Sequence, residues 1–159
     1  MISLTYTKDD TSGVLWDHPE MNVGRLRLMS RQEVKRFVRD TLGCACPDEV
    51  FEHIAISPVN PCPGLPVDGS LEVGGRLLIY ISFNSDIRVL KESLEEIIRQ
   101  GKGIRDLRGF NRFRYVVVAD EVEALNGALV PLFDALPFID EKVHLHIITD
   151  DSIRTWITA

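Results

Sequence analysis

Hydrophobic and polar positions recur along this chain in two rhythms, and the change of rhythm marks its elements. Val34, Phe37, Val38 and Leu42 return at three- and four-residue intervals, which predicts a helix over 31–42. Ser30 and Glu33 stand at capping-box spacing before it, and Gly43 suits the left-handed position that ends it. A short second helix is expected from Pro47, because proline loses nothing in a first turn. Asp48 and Glu49 complement the positive end of its dipole, and Val50, Phe51 and Ile54 supply its apolar side. Residues 54–59 could form a strand. Pro58, Pro61, Pro63 and Pro66, with Gly64, Gly69, Gly74 and Gly75, then read as loop.

The second half is more regular. Residues 76–83 (RLLIYISF), 113–119 (FRYVVVA) and 142–149 (KVHLHIIT) are near-continuous apolar runs of strand length. Between them Ile87, Leu90, Leu94, Ile97 and Ile98 define a helix over about 86–100. Val122, Leu125, Leu129, Leu132, Phe133 and Leu136 define another, and 152–157 is read as a final short helix. Apolar strands alternating with helices imply parallel pairing covered by helices. The expected fold class is therefore α/β, with a mixed, mainly parallel four-stranded sheet. It has a C-terminal βαβαβ unit, with the strand at 54–59 added antiparallel to 76–83. No internal repeat is present. One domain over 1–159 is expected, with residues 1–25 as an N-terminal arm packed through Leu15 and Trp16.

Composition narrows the class. The chain is 45% hydrophobic and 26% charged, which fits a globular domain and excludes a disordered or collagen-like chain. Its net charge of −6 disfavours a nucleic-acid partner, since such proteins carry basic surfaces. There is no apolar run long enough to span a membrane, and the N-terminus lacks the basic-then-apolar pattern of a secretory signal. A cytoplasmic protein is expected. In that compartment free thiols are the default state for Cys44, Cys46 and Cys62.

Four groups of residues bear chemistry. The first is Gly43-Cys44-Ala45-Cys46-Pro47. With the helix starting at Pro47, Cys46 takes the N-cap position, where backbone amides favour a thiolate. Asp48 and Glu49 oppose that effect. A disulfide within Cys-x-Cys closes a very small ring, which makes it easy to reduce and suits exchange better than bracing. Cys46 would be the more activated thiolate and Cys44 its resolving partner. Alternatively, Cys44, Cys46 and Cys62 could hold a metal, although a structural zinc site needs a fourth ligand. His53 lies too far along the helix to supply it, and His18 stays open. Packing as small buried hydrophobes competes with both readings.

The second group is a basic segment. Arg99, Lys102, Arg105, Arg108, Arg112 and Arg114 fall within 99–114 and only Asp106 opposes them. Gly101, Gly103 and Gly109 suggest a bendable loop. Lys102, Arg105, Arg108, Arg112 and Arg114 are then candidates to bind an acidic protein or a small anionic ligand, since guanidinium pairs well with carboxylate and phosphate. The competing reading pairs them with Glu92, Glu95 and Glu96. The third group is Asp86, Asp120, Asp150 and Asp151, expected past the carboxyl ends of strands. They could bind Mg²⁺, but capping explains them better. In the fourth, His144 and His146 share one face of a strand and could grip a metal, or simply form the polar face of an edge strand. No standard hydrolase, phosphate-loop or zinc-finger motif is present.

These groups support two functions. One is a thiol-dependent redox or metal-responsive protein using Cys44 and Cys46. The other is a non-enzymatic interaction domain that binds an acidic or phosphorylated partner through the arginine-rich segment.

Overall fold

The computed structural model describes residues 4–6, 30–84 and 86–149. In chain order the elements are β1 (Leu4–Tyr6), α1 (Arg31–Arg36) continued by a π-helical turn (Phe37–Thr41), and a 3-10 turn (Asp48–Glu52). Then come β2 (Ile54–Ser57), β3 (Gly69–Val73), β4 (Leu77–Ser82), α2 (Ile87–Arg108), β5 (Arg112–Val118), α3 (Val122–Asp134) and β6 (Val143–Ile148). The rest of the arm 1–25, including Leu15, Trp16 and His18, lies outside the described residues, as do the helix expected at 152–157 and Asp150 and Asp151.

The protein is mixed α/β, but its sheet has six strands, not four, in the order β1-β2-β3-β4-β5-β6. Nor is it mainly parallel. The pairs β1–β2, β2–β3 and β3–β4 are antiparallel, while β4–β5 and β5–β6 are parallel. The extra strands are β1 and β3. Residues 69–73 form β3 because Leu71 and Val73 bury one face against Ile56 and Ile54 across the ladder, even though glycines flank the strand.

The two faces of the sheet carry separate apolar layers, as period-two alternation requires. On one, Ile54, Ile56, Leu71, Val73, Leu77, Ile79, Ile81, Val116 and Val118 pack against Val34, Phe37, Val38 and Leu42 of the N-terminal helix. On the other, Leu78, Tyr80, Phe113, Tyr115 and Val117 pack under α2 and α3.

The Ser30–Glu33 capping box forms as expected. Over Phe37–Thr41 the hydrogen bonding widens to π register, and the Leu42 amide reaches back to the Phe37 carbonyl. Gly43 comes next, at φ +69°, the left-handed conformation that favours glycine.

The basic segment is not a loop. α2 runs on to Arg108 and ends at Gly109, which adopts φ 78°. Gly101 sits inside the helix for a packing reason, since a Cβ there would overlap the Phe113 ring.

Candidate functional site

The amino ends of the three parallel strands lie side by side, because β4, β5 and β6 are neighbours running the same way. The Arg76 carbonyl accepts from the Asn111 and Arg112 amides at 2.7 and 3.0 Å, which ties the approach to β4 to the start of β5. Arg114 is paired across the ladder with His144. Strand alternation puts Arg112, Arg114, His144 and His146 on the α1 face, opposite Phe113, Tyr115 and Val143. The segment after α1 passes over this end. A pocket of about 420 Å³ forms there, walled by Gly43-Cys44-Ala45-Cys46-Pro47 on one side and by Arg76, Asn111, Arg112, Arg114 and His144 on the other.

Cys44 and Cys46 are joined as a disulfide with Cα atoms 5.4 Å apart. This differs from the free-thiol default. Cys44 is 9% exposed and belongs to the apolar layer, and Cys46 is its partly exposed neighbour. The Cys44 amide donates to the Val38 carbonyl at 3.0 Å. Arg39 donates twice to the Cys46 carbonyl, from Nε at 3.1 Å and from Nη2 at 2.7 Å.

The expected helix-dipole effect on Cys46 has no basis in the structure. Pro47, not Cys46, is the N-cap, and the element it opens is a five-residue 3-10 turn. The Asp48 charge is also answered. Lys35 and Arg39 both contact its carboxylate at 2.8 Å and hold it below the usual carboxylate range. The cation that touches the bridge segment is Arg39, through the Cys46 carbonyl, while Arg76, Arg112 and Arg114 line the same pocket as the two cysteines.

Arg114 is buried, at 7% exposure. Its Nη1 donates to the Leu42 carbonyl at 3.1 Å and contacts His146 Nε2 at 2.7 Å. Arginine can only donate, so Nε2 accepts and the neutral ring carries its proton on Nδ1. Burial, then Arg114, then His144 push His146 down to about 4. Burial, followed by Arg114 and Arg112, also lowers His144. Nε of Arg114 and Nε2 of His144 are buried without a hydrogen-bond partner. Desolvation, then Arg112, lowers the pKa of Arg114; a guanidinium is nonetheless not deprotonated in proteins, so the charge remains.

The other sequence candidates are dispersed. Arg105 makes a two-pronged pair with Asp140 at 2.9 and 2.6 Å and also contacts Asp106. Lys102 pairs with Asp106 at 3.0 Å. Arg108 grips Glu72 at 2.7 and 2.8 Å and lies over the Phe110 ring. Only Arg99 pairs with Glu95 and Glu96 as the simple surface reading expected. Cys62 is fully buried in the opposite apolar layer, where burial, then Glu96, push its thiol up to about 11. The three cysteines therefore do not converge. No group of three or more His, Cys, Asp or Glu among the described residues could hold a metal.

Asp86 caps α2, accepting from the Arg88 and Val89 amides. Asp120 is exposed at the opposite end of the sheet from the pocket. His144 and His146 lie on the last strand of the described sheet, but both are partly buried, so they do not form the exposed polar face of the simpler expectation.

Arg76 and Asn111 enter the site unannounced by any motif. Their only sequence signal is that each immediately precedes a strand. No family model, curated protein or solved structure matches the chain, so its chemistry is read from this geometry alone. No helix among the described residues is long and apolar enough to cross a membrane.

Proposed function

We propose that the protein is a thiol–disulfide exchange protein whose reactive pair is Cys44 and Cys46. The observation that carries this reading is a disulfide spanning one residue at the wall of a pocket lined, among the described residues, by three arginines and no carboxylate. An external thiolate attacks the sulfur of Cys46, the less buried partner. The Cys44–Cys46 bond breaks, a mixed disulfide forms on Cys46, and Cys44 leaves as a thiolate. Neighbouring arginines favour that anion by lowering thiol pKa. A second external thiolate attacks the external sulfur of the mixed disulfide and releases Cys46. The protein pair gains two electrons and, at neutral pH, protons from water, while two external thiols become one external disulfide.

The small ring supports exchange over bracing, because a one-residue loop constrains the unfolded chain least. The metal-responsive alternative has no ligand cluster behind it among the described residues. The interaction-domain alternative loses Lys102, Arg105 and Arg108, which already hold carboxylates, and keeps only Arg112 and Arg114.

Redox titration in thiol–disulfide buffers with mass mapping tests the reading. The expected result is a reversible two-electron transition confined to Cys44 and Cys46, at a potential above about −300 mV, the regime of labile disulfides. Cys62 should stay unlabelled throughout. A pair that resists reduction below that potential, or whose reduction unfolds the chain, refutes it.

A further inference from the structure

The pocket beside the bridge holds more positive charge than thiol exchange requires. Arg76, Arg112 and Arg114 line it together with Asn111 and His144, and among the described residues no carboxylate does. Other cations on this chain have found acids: Lys35 and Arg39 share Asp48, Arg105 holds Asp140, and Arg108 holds Glu72. Arg76, Arg112 and Arg114 have no ion-pair partner among the described residues. Arg114 is more than nine-tenths buried, and its Nε–H meets no acceptor. Burying a guanidinium without a counter-charge is expensive. A buried donor without an acceptor adds to that penalty.

An oxyanion in the pocket would supply the missing counter-charge, in the forked geometry that arginine recognises best. The volume of about 420 Å³ is within the range of small-molecule sites. Since Cys44 and Cys46 form part of the same wall, whatever sits on the arginines lies beside the bridge.

We propose that this pocket is a subsite for a compact dianion, and that it selects thiols bearing two carboxylates as the exchange partners of Cys44–Cys46. The second clause rests on the exchange reading above; the anion subsite does not. Arg112 and Arg76 receive the carboxylates from the open side and Arg114 from the buried side. The ligand's sulfur is thereby presented to Cys46.

Two measurements on the full oxidised chain test this. The first is calorimetric titration with succinate, a dianion without sulfur. Binding is expected, weakening as salt rises. It should be lost in R76A and R112A and retained in R88A, which removes an exposed arginine on α2 far from the pocket.

The second measurement is the rate at which the bridge is reduced by three small thiols at equal thiolate concentration: mercaptosuccinate (dianionic), 1-thioglycerol (neutral) and cysteamine (cationic). Mercaptosuccinate should be faster than thioglycerol by roughly tenfold or more, the scale of a charge-assisted contact, and cysteamine should be slowest. In R76A and R112A the ratio of the mercaptosuccinate rate to the thioglycerol rate should collapse toward one, whatever the common change in exchange rate, while R88A keeps the native ratio; circular dichroism reports the intact fold. Equal rates for the three thiols in the native chain overturn the proposal. So does a preference that survives both substitutions. Absence of succinate binding, with all three thiols still reducing the bridge, removes the subsite and leaves exchange standing. Succinate binding that depends on Arg112, with no thiol able to reduce the bridge, removes exchange and leaves the subsite.

Discussion

Two glycines on opposite sides of α2, Gly101 and Gly103, are expected to respond to the same substitution with opposite signs, since two residues turn a helix by about 200°. Alanine in a helix interior is favoured over glycine by about 1 kcal/mol, since it loses less backbone entropy. At Gly103 a Cβ would meet nothing within 4 Å, so Gly103→Ala should gain most of that amount. At Gly101 a Cβ would lie 2.5 Å from Cε2 of Phe113 and overlap the ring. The ring cannot easily retreat, because Phe113 is fully buried and meets Tyr80 edge-on with centroids 5.1 Å apart. Overpacking of this kind costs about 1–3 kcal/mol, which exceeds the propensity gain. Gly101→Ala should therefore destabilise by up to about 2 kcal/mol, and the two variants should differ by the overpacking cost itself, about 1–3 kcal/mol. Urea unfolding followed by circular dichroism measures both, with the slope m unchanged if only stability moves. If Gly101→Ala is as stable as Gly103→Ala, α2 does not lie against β5 as described. The registration of Arg105 on Asp140 and of Arg108 on Glu72 would fall with it.

Two further predictions concern charge. His146, held neutral and pushed down to about 4, binds a proton in the unfolded chain but not in the folded one between pH 4 and about 6.5. Stability should thus fall as pH drops through that window, by about 3 kcal/mol, with a shallower fall in His146→Gln. A ring titration midpoint at or above 6.5 by NMR refutes the Arg114–His146 contact. Arg105 holds Asp140 well below the usual carboxylate range, so this pair stabilises above the unfolded carboxyl value of about 3.9 and its contribution is lost as pH falls further. Asp140→Asn should cost about 1–2 kcal/mol at neutral pH, discounted because the carboxylate is 42% exposed. The acid limb of its stability curve should be flatter. Parallel unfolding of the two proteins on acidification sinks the assignment.

What periodicity encodes was legible in the chain. The capping box at Ser30 and Glu33, the strands at 77–82, 112–118 and 143–148, and the helix starting after Asp86 all follow from local pattern. Two features were hidden because a tertiary contact overrode a local signal. Gly101 and Gly103 read as flexibility, yet Gly101 is where α2 comes closest to the Phe113 ring. Gly69 reads as loop punctuation, yet it opens a strand whose Leu71 and Val73 fill the α1 side of the sheet. The site was legible only in fragments. Cys44 with Cys46, Arg112 with Arg114, and His144 each stood out, but as three unrelated features. Their meeting depends on strand order and on which face each strand turns to α1, and neither is a property of any one segment. Cys62 shows the reverse: proximity in sequence to the other cysteines gave no proximity in space, because the sheet lies between them.

The case for a ligand in the pocket comes down to Arg114. A charged side chain in β5, on the face that also holds Val116 and Val118, is destabilising unless something answers it. Part of the answer is structural. Arg114 ties down the Leu42 carbonyl at the close of the π turn, just before Gly43 and the bridge, and so fixes where Cys44 begins. That duty, together with the contact to His146, occupies Nη1 alone. A carbonyl tie could be made by a shorter, neutral donor without bringing a full charge into an apolar layer. The charge therefore needs a different partner. Arg76 and Arg112 line the same pocket, with no acid paired to them among the described residues, and on our proposal the partner that answers all three is an anion from outside the chain.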